Sequence, residues 1–367
     1  IKSLARPEIW AGASIHMLVT VTLFGFLISM LGFSSIALFD QLTLTTALMI
    51  AFALSFSSTV FAVKVLEEKQ EMASRHATVA VGILIIQDII AVIFLAASTG
   101  KTPSALALPL LASLFIARPI LGRLMARCGH GELLMLFGIL MTVAGYSGFE
   151  YVGLKGDLGA LVVGMLFASH PKTPELVDRL LGFKDLFLVG FFLNIGISGS
   201  PNLTGLMVAL LLALVMPFKT GLFLGILTRF KLRARTALLA SLSLSNYSEF
   251  GLIVCSIGVA NGWISREWLV VIAIALSMTF IMAAPVNSAS HNIYARFSSR
   301  LKAFETSDRL HEDEPIDSSD AEIVILGMGG LGTSAYDEMR RRYGDIVVGV
   351  DFNTEKVEAH RKKERRV

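Results

Sequence analysis

The stretch Val79–Ala97, VAVGILIIQDIIAVIFLAA, is 19 residues of almost unbroken apolar side chains with one carboxylate, Asp88, near its centre. A helix of that length rises about 28 Å, the thickness of a bilayer's hydrocarbon core. A carboxylate at that depth costs roughly 2.5–3.5 kcal/mol on insertion scales. Stability does not explain such a residue. Asp88, with Gln87 beside it, therefore reads as the group that carries a cation or a proton through the membrane.

The rest of the chain suits that setting. Of 367 residues, 54% are hydrophobic and 17% charged, against roughly 25% charged in soluble proteins. The net charge of +3 is too small to point to nucleic acid. Cys128 and Cys255 show no metal-ligand spacing and read as core residues, not a disulfide. The chain begins at Ile1 without a visible signal peptide and stops in a basic run, as expected of a piece of a longer protein.

Ten apolar segments follow one another: Ala11–Leu31, Ala47–Val65, Val79–Ala97, Ala105–Gly122, Leu133–Phe149, Leu158–Ser169, Leu186–Ile197, Leu203–Leu227, Thr236–Val259 and Trp268–Val286. The sixth and seventh are short for full spans and need tilt, kinks or interfacial extension. The N-terminal stub and every second connection after it carry eighteen Lys and Arg, from Lys2 to Lys302. The connections between hold only Lys101, Lys155 and Arg266. This alternation predicts ten spans with both ends cytoplasmic.

Three segments are interrupted by polar groups. The second carries Ser55, Ser57, Ser58 and Thr59 at mid-depth. Such hydroxyls let helices approach closely, and three in a row favour an unwound helix whose carbonyls could face a cation. The ninth carries Ser241, Ser243, Ser245, Asn246, Ser248 and Glu249, too polar for a lipid-facing helix. Glu249 reads equally as a structural partner and as an ion-site carboxylate. The eighth carries Pro217 and Lys219. A lysine there either snorkels to the interface or pairs with a carboxylate, and the apolar run on both sides favours pairing. Two interrupted helices in the two halves of the chain point to a transporter of inverted repeats with a midplane site.

After Val286 comes a basic amphipathic stretch, HNIYARFSSRLKAF, expected at the membrane surface. An acidic, Ser-rich linker follows. Residues 1–302 thus read as the membrane domain, 303–320 as linker and 321–367 as the start of an α/β nucleotide-binding unit. In that unit Gly327-Met328-Gly329-Gly330-Leu331-Gly332 fits G-x-G-x-x-G after a strand at Glu322–Leu326. A helix to about Tyr343 and a strand at Ile346–Val350 follow, ending in Asp351 and Phe352. In that context the glycines admit phosphate to backbone N–H groups, and Asp351 is placed to accept from ribose hydroxyls.

In this order, Ser57-Ser58-Thr59, Gln87-Asp88, Lys219, the Ser-Asn-Tyr-Ser-Glu-Phe stretch at 245–250 and the glycine loop resemble the monovalent cation/proton antiporter superfamily. The branch resembled is the Kef-type potassium/proton antiporters with an RCK (KTN) nucleotide-binding domain. The resemblance implies a mainly α, polytopic inverted-repeat fold followed by a Rossmann-like unit. It implies about thirteen spans, so three helices are expected before Ile1, and an RCK domain longer than the part present.

It also implies a non-enzymatic homodimer in the inner (plasma) membrane with its C-terminal domain cytoplasmic. Asp88 would bind a proton or a dehydrated cation in alternation, since burial favours the neutral carboxyl and a cation the charged one. One carboxylate beside Gln87 implies one-for-one, electroneutral exchange. Gln87, Ser57, Ser58 and Thr59 would supply oxygens. Ser245 and Asn246 would belong to the same ion site, and Lys219 and Glu249 in it would stabilise the half-helices and neutralise the core. A nucleotide, AMP or NAD(H), would bind the RCK unit and gate exchange. The loop departs from better-known members, which carry arginine and phenylalanine inside it.

Other classes fit less well. A potassium channel needs a carbonyl filter such as TVGYG, which the sequence lacks. An NAD-dependent membrane oxidoreductase needs a catalytic acid or base beside the glycine loop. A Na⁺/H⁺ antiporter remains the near alternative, because both ions take oxygen ligands.

Overall fold

The computed structural model describes residues 6–32, 38–39, 42–98, 104, 106–154, 156–198, 202–306, 310, 321–351 and 353–367. Lys2, Lys101, Lys155, Phe352 and most of the expected linker lie outside them. The chain divides into two compact units, Ile1–Asp308 and Arg309–Val367.

The first unit is helical. Its elements are α1 (Pro7–Leu31), α2 (Leu44–Ser55), α3 (Thr59–Glu68), α4 (Arg75–Ala97), α5 (Ala107–Arg127), α6 (Glu132–Tyr151), α7 (Gly156–Phe167) and α8 (Thr173–Ser198). They continue as α9 (Leu203–Leu214), α10 (Met216–Arg229), α11 (Ala234–Ser243), α12 (Glu249–Ala260), α13 (Arg266–Ser288) and α14 (Ser290–Lys302). Local chemistry sets the starts. Pro7 opens α1, where its missing N–H costs nothing, and the Ser74 hydroxyl caps α4 from Ala77 N–H.

Each of the ten expected segments has helical counterparts. The second is α2 and α3, the ninth α11 and α12, and the seventh is the later part of the 26-residue α8. The eighth is not one straight helix: α9 ends at Leu214 and α10 starts at Met216, with Pro217 in its first turn. Among the described residues, five stretches are long and apolar enough to cross a membrane, including Pro7–Leu31, Arg75–Leu95 and Arg266–Ser288. Large apolar side chains such as Leu18, Phe26, Ile93 and Ile281 face outward, as lipid contact requires.

The main core joins α1, α2, α4, α9, α12 and α13 around Phe56, Tyr247, Trp268 and Leu276. A second core, with Met125, Phe137, Phe167 and Leu176, joins α5 to α8. Both cysteines are free, Cys255 buried and Cys128 half-buried.

The second unit holds β1 (Ile323–Leu326), α15 (Gly330–Tyr343), β2 (Val347–Val350) and α16 (Thr354–Arg361). The strands are parallel, pairing Ile323 with Val347 and Leu326 with Val350. Both start one residue later than the sequence suggests. At the second, Gly344–Ile346 forms a single tight helical turn before the strand. Met328, Tyr336 and Val347 form the core of this unit.

Candidate functional site

The site lies where the two interrupted helices meet. At Phe56 the backbone turns extended (φ −70°, ψ 148°), which ends α2. Ser58 then caps α3 by accepting from Phe61 N–H. In the other half, α11 ends at Ser243 and Ser248 caps α12 from Phe250 N–H. Ser57 and Tyr247 form an antiparallel bridge between the two breaks. Hydroxyls so placed satisfy backbone groups that a broken helix leaves bare in lipid.

Gly251 is needed for this approach. A Cβ there would stand 2.3 Å from the Ala53 carbonyl oxygen.

The sequence-predicted residues converge here. Gln87 is fully buried and spans the first break: its Oε1 accepts from Ser57 N–H (2.9 Å), and its Nε2 approaches the Ser55 carbonyl (3.5 Å). The Ser57 hydroxyl donates across the crossing to the Leu244 carbonyl (2.8 Å), and Ser58 donates to Glu249 Oε2 (3.1 Å). Thr59 Oγ1 lies 3.4 Å from Asp88 Oδ2, and both residues are half-buried. The Ser245 hydroxyl turns back to the Leu242 carbonyl (2.7 Å). The Asn246 side chain is fully buried, and among the described residues neither its oxygen nor its nitrogen has a hydrogen-bond partner.

Lys219 corrects an expectation. It is 1% exposed, so it does not snorkel. Nor, among the described residues, does it pair with a carboxylate: Nζ donates to the carbonyl oxygens of Phe56 and Asn246. These carbonyls are freed by the two breaks, and helix C-termini carry partial negative charge. The ammonium therefore neutralises both broken ends at once, 5.3 Å above the Tyr247 ring.

Sequence reasoning passed over two supporting residues. Thr279 Oγ1 accepts from Tyr247 N–H (3.3 Å), and Asn287 Nδ2 donates to the Leu242 carbonyl (2.9 Å). Thr279 interrupts the tenth segment, the same signal that flagged the others, and Asn287 stands immediately after its end.

At the Lys/Arg-rich end, Glu71 accepts from His291 Nε2 (2.7 Å) and His76 Nε2 (3.0 Å). Desolvation pushes its carboxyl up. The hydrogen bond from His291 and the influence of His76 outweigh this, holding it below the usual carboxylate range. Lys69 Nζ reaches the Asn287 carbonyl and Ser290 Oγ. Together these contacts tie the α3–α4 turn to the α13–α14 junction.

In the second unit Gly327 has φ +87°, and a Cβ on Gly332 would fall 1.7 Å from the Gly327 carbonyl oxygen. The loop therefore lies flat on the first turn of α15, whose N-terminus no side chain caps. Gly329, Gly330 and Leu331 surround that N-terminus, with Leu331 exposed. The Met328 side chain is core, not lining, and its N–H donates to Asp351 Oδ2 (2.7 Å). Hydrogen bonds from the N–H of Asn353 and then Met328 hold the Asp351 carboxyl low.

Comparison with known proteins agrees with this geometry. Residues 3–288 match the family described as sodium/hydrogen exchanger, transmembrane. The glutathione-regulated potassium-efflux system protein KefC of Salmonella typhi is 26% identical over 380 residues, covering 97% of this chain. Its counterparts in Salmonella schwarzengrund and Salmonella arizonae are similar to the same degree. The chain spans 58% of the length of these relatives. A mainly helical chain with two broken helices crossing beside a carboxylate and a lysine, matched over that whole region, belongs to the transmembrane sodium/hydrogen exchanger family.

Proposed function

We propose that this chain exchanges a monovalent cation, K⁺ favoured, for protons across the inner membrane. The exchange is one-for-one, and a nucleotide at the RCK unit gates it. The observation that carries the reading is the half-buried Asp88, with the Thr59 hydroxyl at 3.4 Å, beside a crossing whose broken ends are already neutralised by Lys219. Lys219 serves the carbonyls, and the half-buried Asp88 carboxylate beside the crossing is the group that takes the mobile charge. A proton or a dehydrated cation satisfies it, never both, and that competition is the exchange.

The K⁺ preference rests on the potassium-efflux name of the relatives, and Na⁺ is the alternative that the family's description favours. Nucleotide gating rests on the glycine loop and the uncapped start of α15, which suit a phosphate. Asp88, Gln87, Ser57, Ser58, Thr59 and Asn246 would line the ion site, with Lys219, Ser245 and Glu249 supporting it. A homodimer with cytoplasmic C-terminal units completes the reading.

The test is dequenching of a pH-sensitive dye in everted vesicles holding the full-length protein, with K⁺ and with Na⁺. A K⁺ response that persists when the membrane potential is collapsed, and is absent in Asp88→Asn, is expected. A full response from Asp88→Asn overturns the site, and a response to Na⁺ alone reassigns the ion.

A further inference from the structure

One titratable group in the core has no part in the exchange described above. His16, on α1, is fully buried, and its ring stacks on Phe223 of α10 with centroids 3.5 Å apart and planes 4° from parallel. Neither ring nitrogen has a hydrogen-bond partner among the described residues. One helical turn further on, Thr20 is 1% exposed, and its hydroxyl is equally unpartnered. Buried polar groups are almost always bonded to protein or to ordered water. Three orphaned atoms on one helix face are a demand for a ligand that can both donate and accept.

The place of these atoms gives that demand a use. α1 and α10 run antiparallel: Gly12 faces Leu227, His16 lies on Phe223 and Phe24 meets Phe218 at 5.7 Å. Thr20 therefore lies opposite the turn that holds Lys219. Towards the Lys/Arg-rich end, the buried face of α1 runs back through His16 and Gly12 to Glu8 at successive fourth positions. Glu8 is itself buried, 3.4 Å from Arg75 at the start of α4. The ionisable groups on the packed elements are Lys219 and Arg229 on α10 and Arg75, His76 and Asp88 on α4, and α2 contributes none. Buried polar groups on this face of α1 thus stand at the end of the bundle and at the level of Lys219, separated by Gly12, which faces Leu227, Ile226 and Ile83.

We propose that His16 and Thr20 line a buried water-binding site beside the helix crossing, and that His16 takes up and releases a proton there during exchange. A bare ring nitrogen accepts a proton relayed by a bound water, which takes up a proton from a neighbouring water on the side of Glu8 as it gives one up, so no hydroxide is left. The imidazolium returns a proton to water on the way back, so the ring ends as it began. A neutral imidazole offers one ring nitrogen that accepts and one that donates, so it can take up a proton and hand one back. The proton role rests on the exchange reading, and the water site does not.

The first experiment is hydroxyl-radical labelling of the full-length protein. A buried aromatic is oxidised quickly only if ordered water sits against it. His16 and Phe223 are expected to label several-fold faster than Phe56, which is 1% exposed, and to approach the exposed Trp263. Labelling no faster than Phe56 overturns the site. Thr20→Val, which removes the hydroxyl at nearly constant volume, is expected to slow labelling of His16 several-fold, and unchanged labelling overturns the role of Thr20. In vesicles, His16→Gln keeps hydrogen bonding without a proton-accepting ring. Its pH for half-maximal exchange should move by about one unit, with less than about a twofold change in the cation concentration for half-maximal response. A profile superimposable on the wild type overturns the proton role. If the wild type exchanges nothing, the functional proposal fails while the labelling still decides the water site.

Discussion

Lys219 shows how one side chain decides whether a broken helix is tolerable. Its ammonium sits on the carbonyls of Phe56 and Asn246, and both oxygens are buried away from water. Lys219→Ala strands two acceptors, each costing about 1–3 kcal/mol. The expected result is a clear drop in thermal stability of the purified protein, with Lys219→Gln intermediate because an amide can still serve one carbonyl. A thermally unchanged Lys219→Ala would remove the lysine from the crossing. Much at this scale was legible in sequence, because polarity inside apolar runs is conspicuous: Asp88, Gln87, Ser57 and Glu249 all meet at one place. What each group bonds to was not legible. The partner of the Ser57 hydroxyl lies 187 residues away, and no local rule supplies it. The lysine was read towards a carboxylate for the same reason: sequence shows side-chain charge and hides the partial charge on backbone ends.

Elements place those residues, and the crossing depends on close backbone contact. With Ala53 oxygen 2.3 Å from the site of any Cβ on Gly251, Gly251→Ala must push α12 off α2. Overpacking of this kind costs about 1–3 kcal/mol. Lower stability together with lost exchange is expected, and an active, equally stable variant would show that the helices have slack. The Glu71 latch makes a pH prediction. Its carboxyl titrates lower in the folded protein than the ordinary value of about 4.3. It therefore contributes stability that is complete above that value and is lost as pH falls through the folded one. The difference in Tm between wild type and Glu71→Gln should persist down to about pH 4.3 and shrink as pH is lowered further. A constant difference would mean that the histidine contacts do not depend on ionisation. Element identity was readable from apolar length, while the kink between α9 and α10 and the late starts of β1 and β2 were not. Such boundaries follow from packing and turn geometry, not from composition.

The whole molecule joins a membrane bundle to a small α/β unit, each compact by itself. In the second unit the Asp351 carboxylate holds the glycine loop through Met328 N–H and the following turn through Asn353 N–H. Asp351→Ala in the full-length protein is expected to weaken AMP or NADH binding several-fold by calorimetry. Equal affinity would leave Asp351 a purely structural tie. The apolar helical segments were legible because a bilayer imposes their composition, and the bundle's internal crossings were not, because they join distant parts of the chain. The bridge between Ser57 and Tyr247 has one more consequence. Each break is completed by atoms from the opposite half of the chain, so neither half can be exchanged for that of a relative without its counterpart. A chimera joined between α6 and α7 would inherit two lineages' half-fitted seams at its most buried point, whereas one that moves both breaks together would carry its selectivity with it.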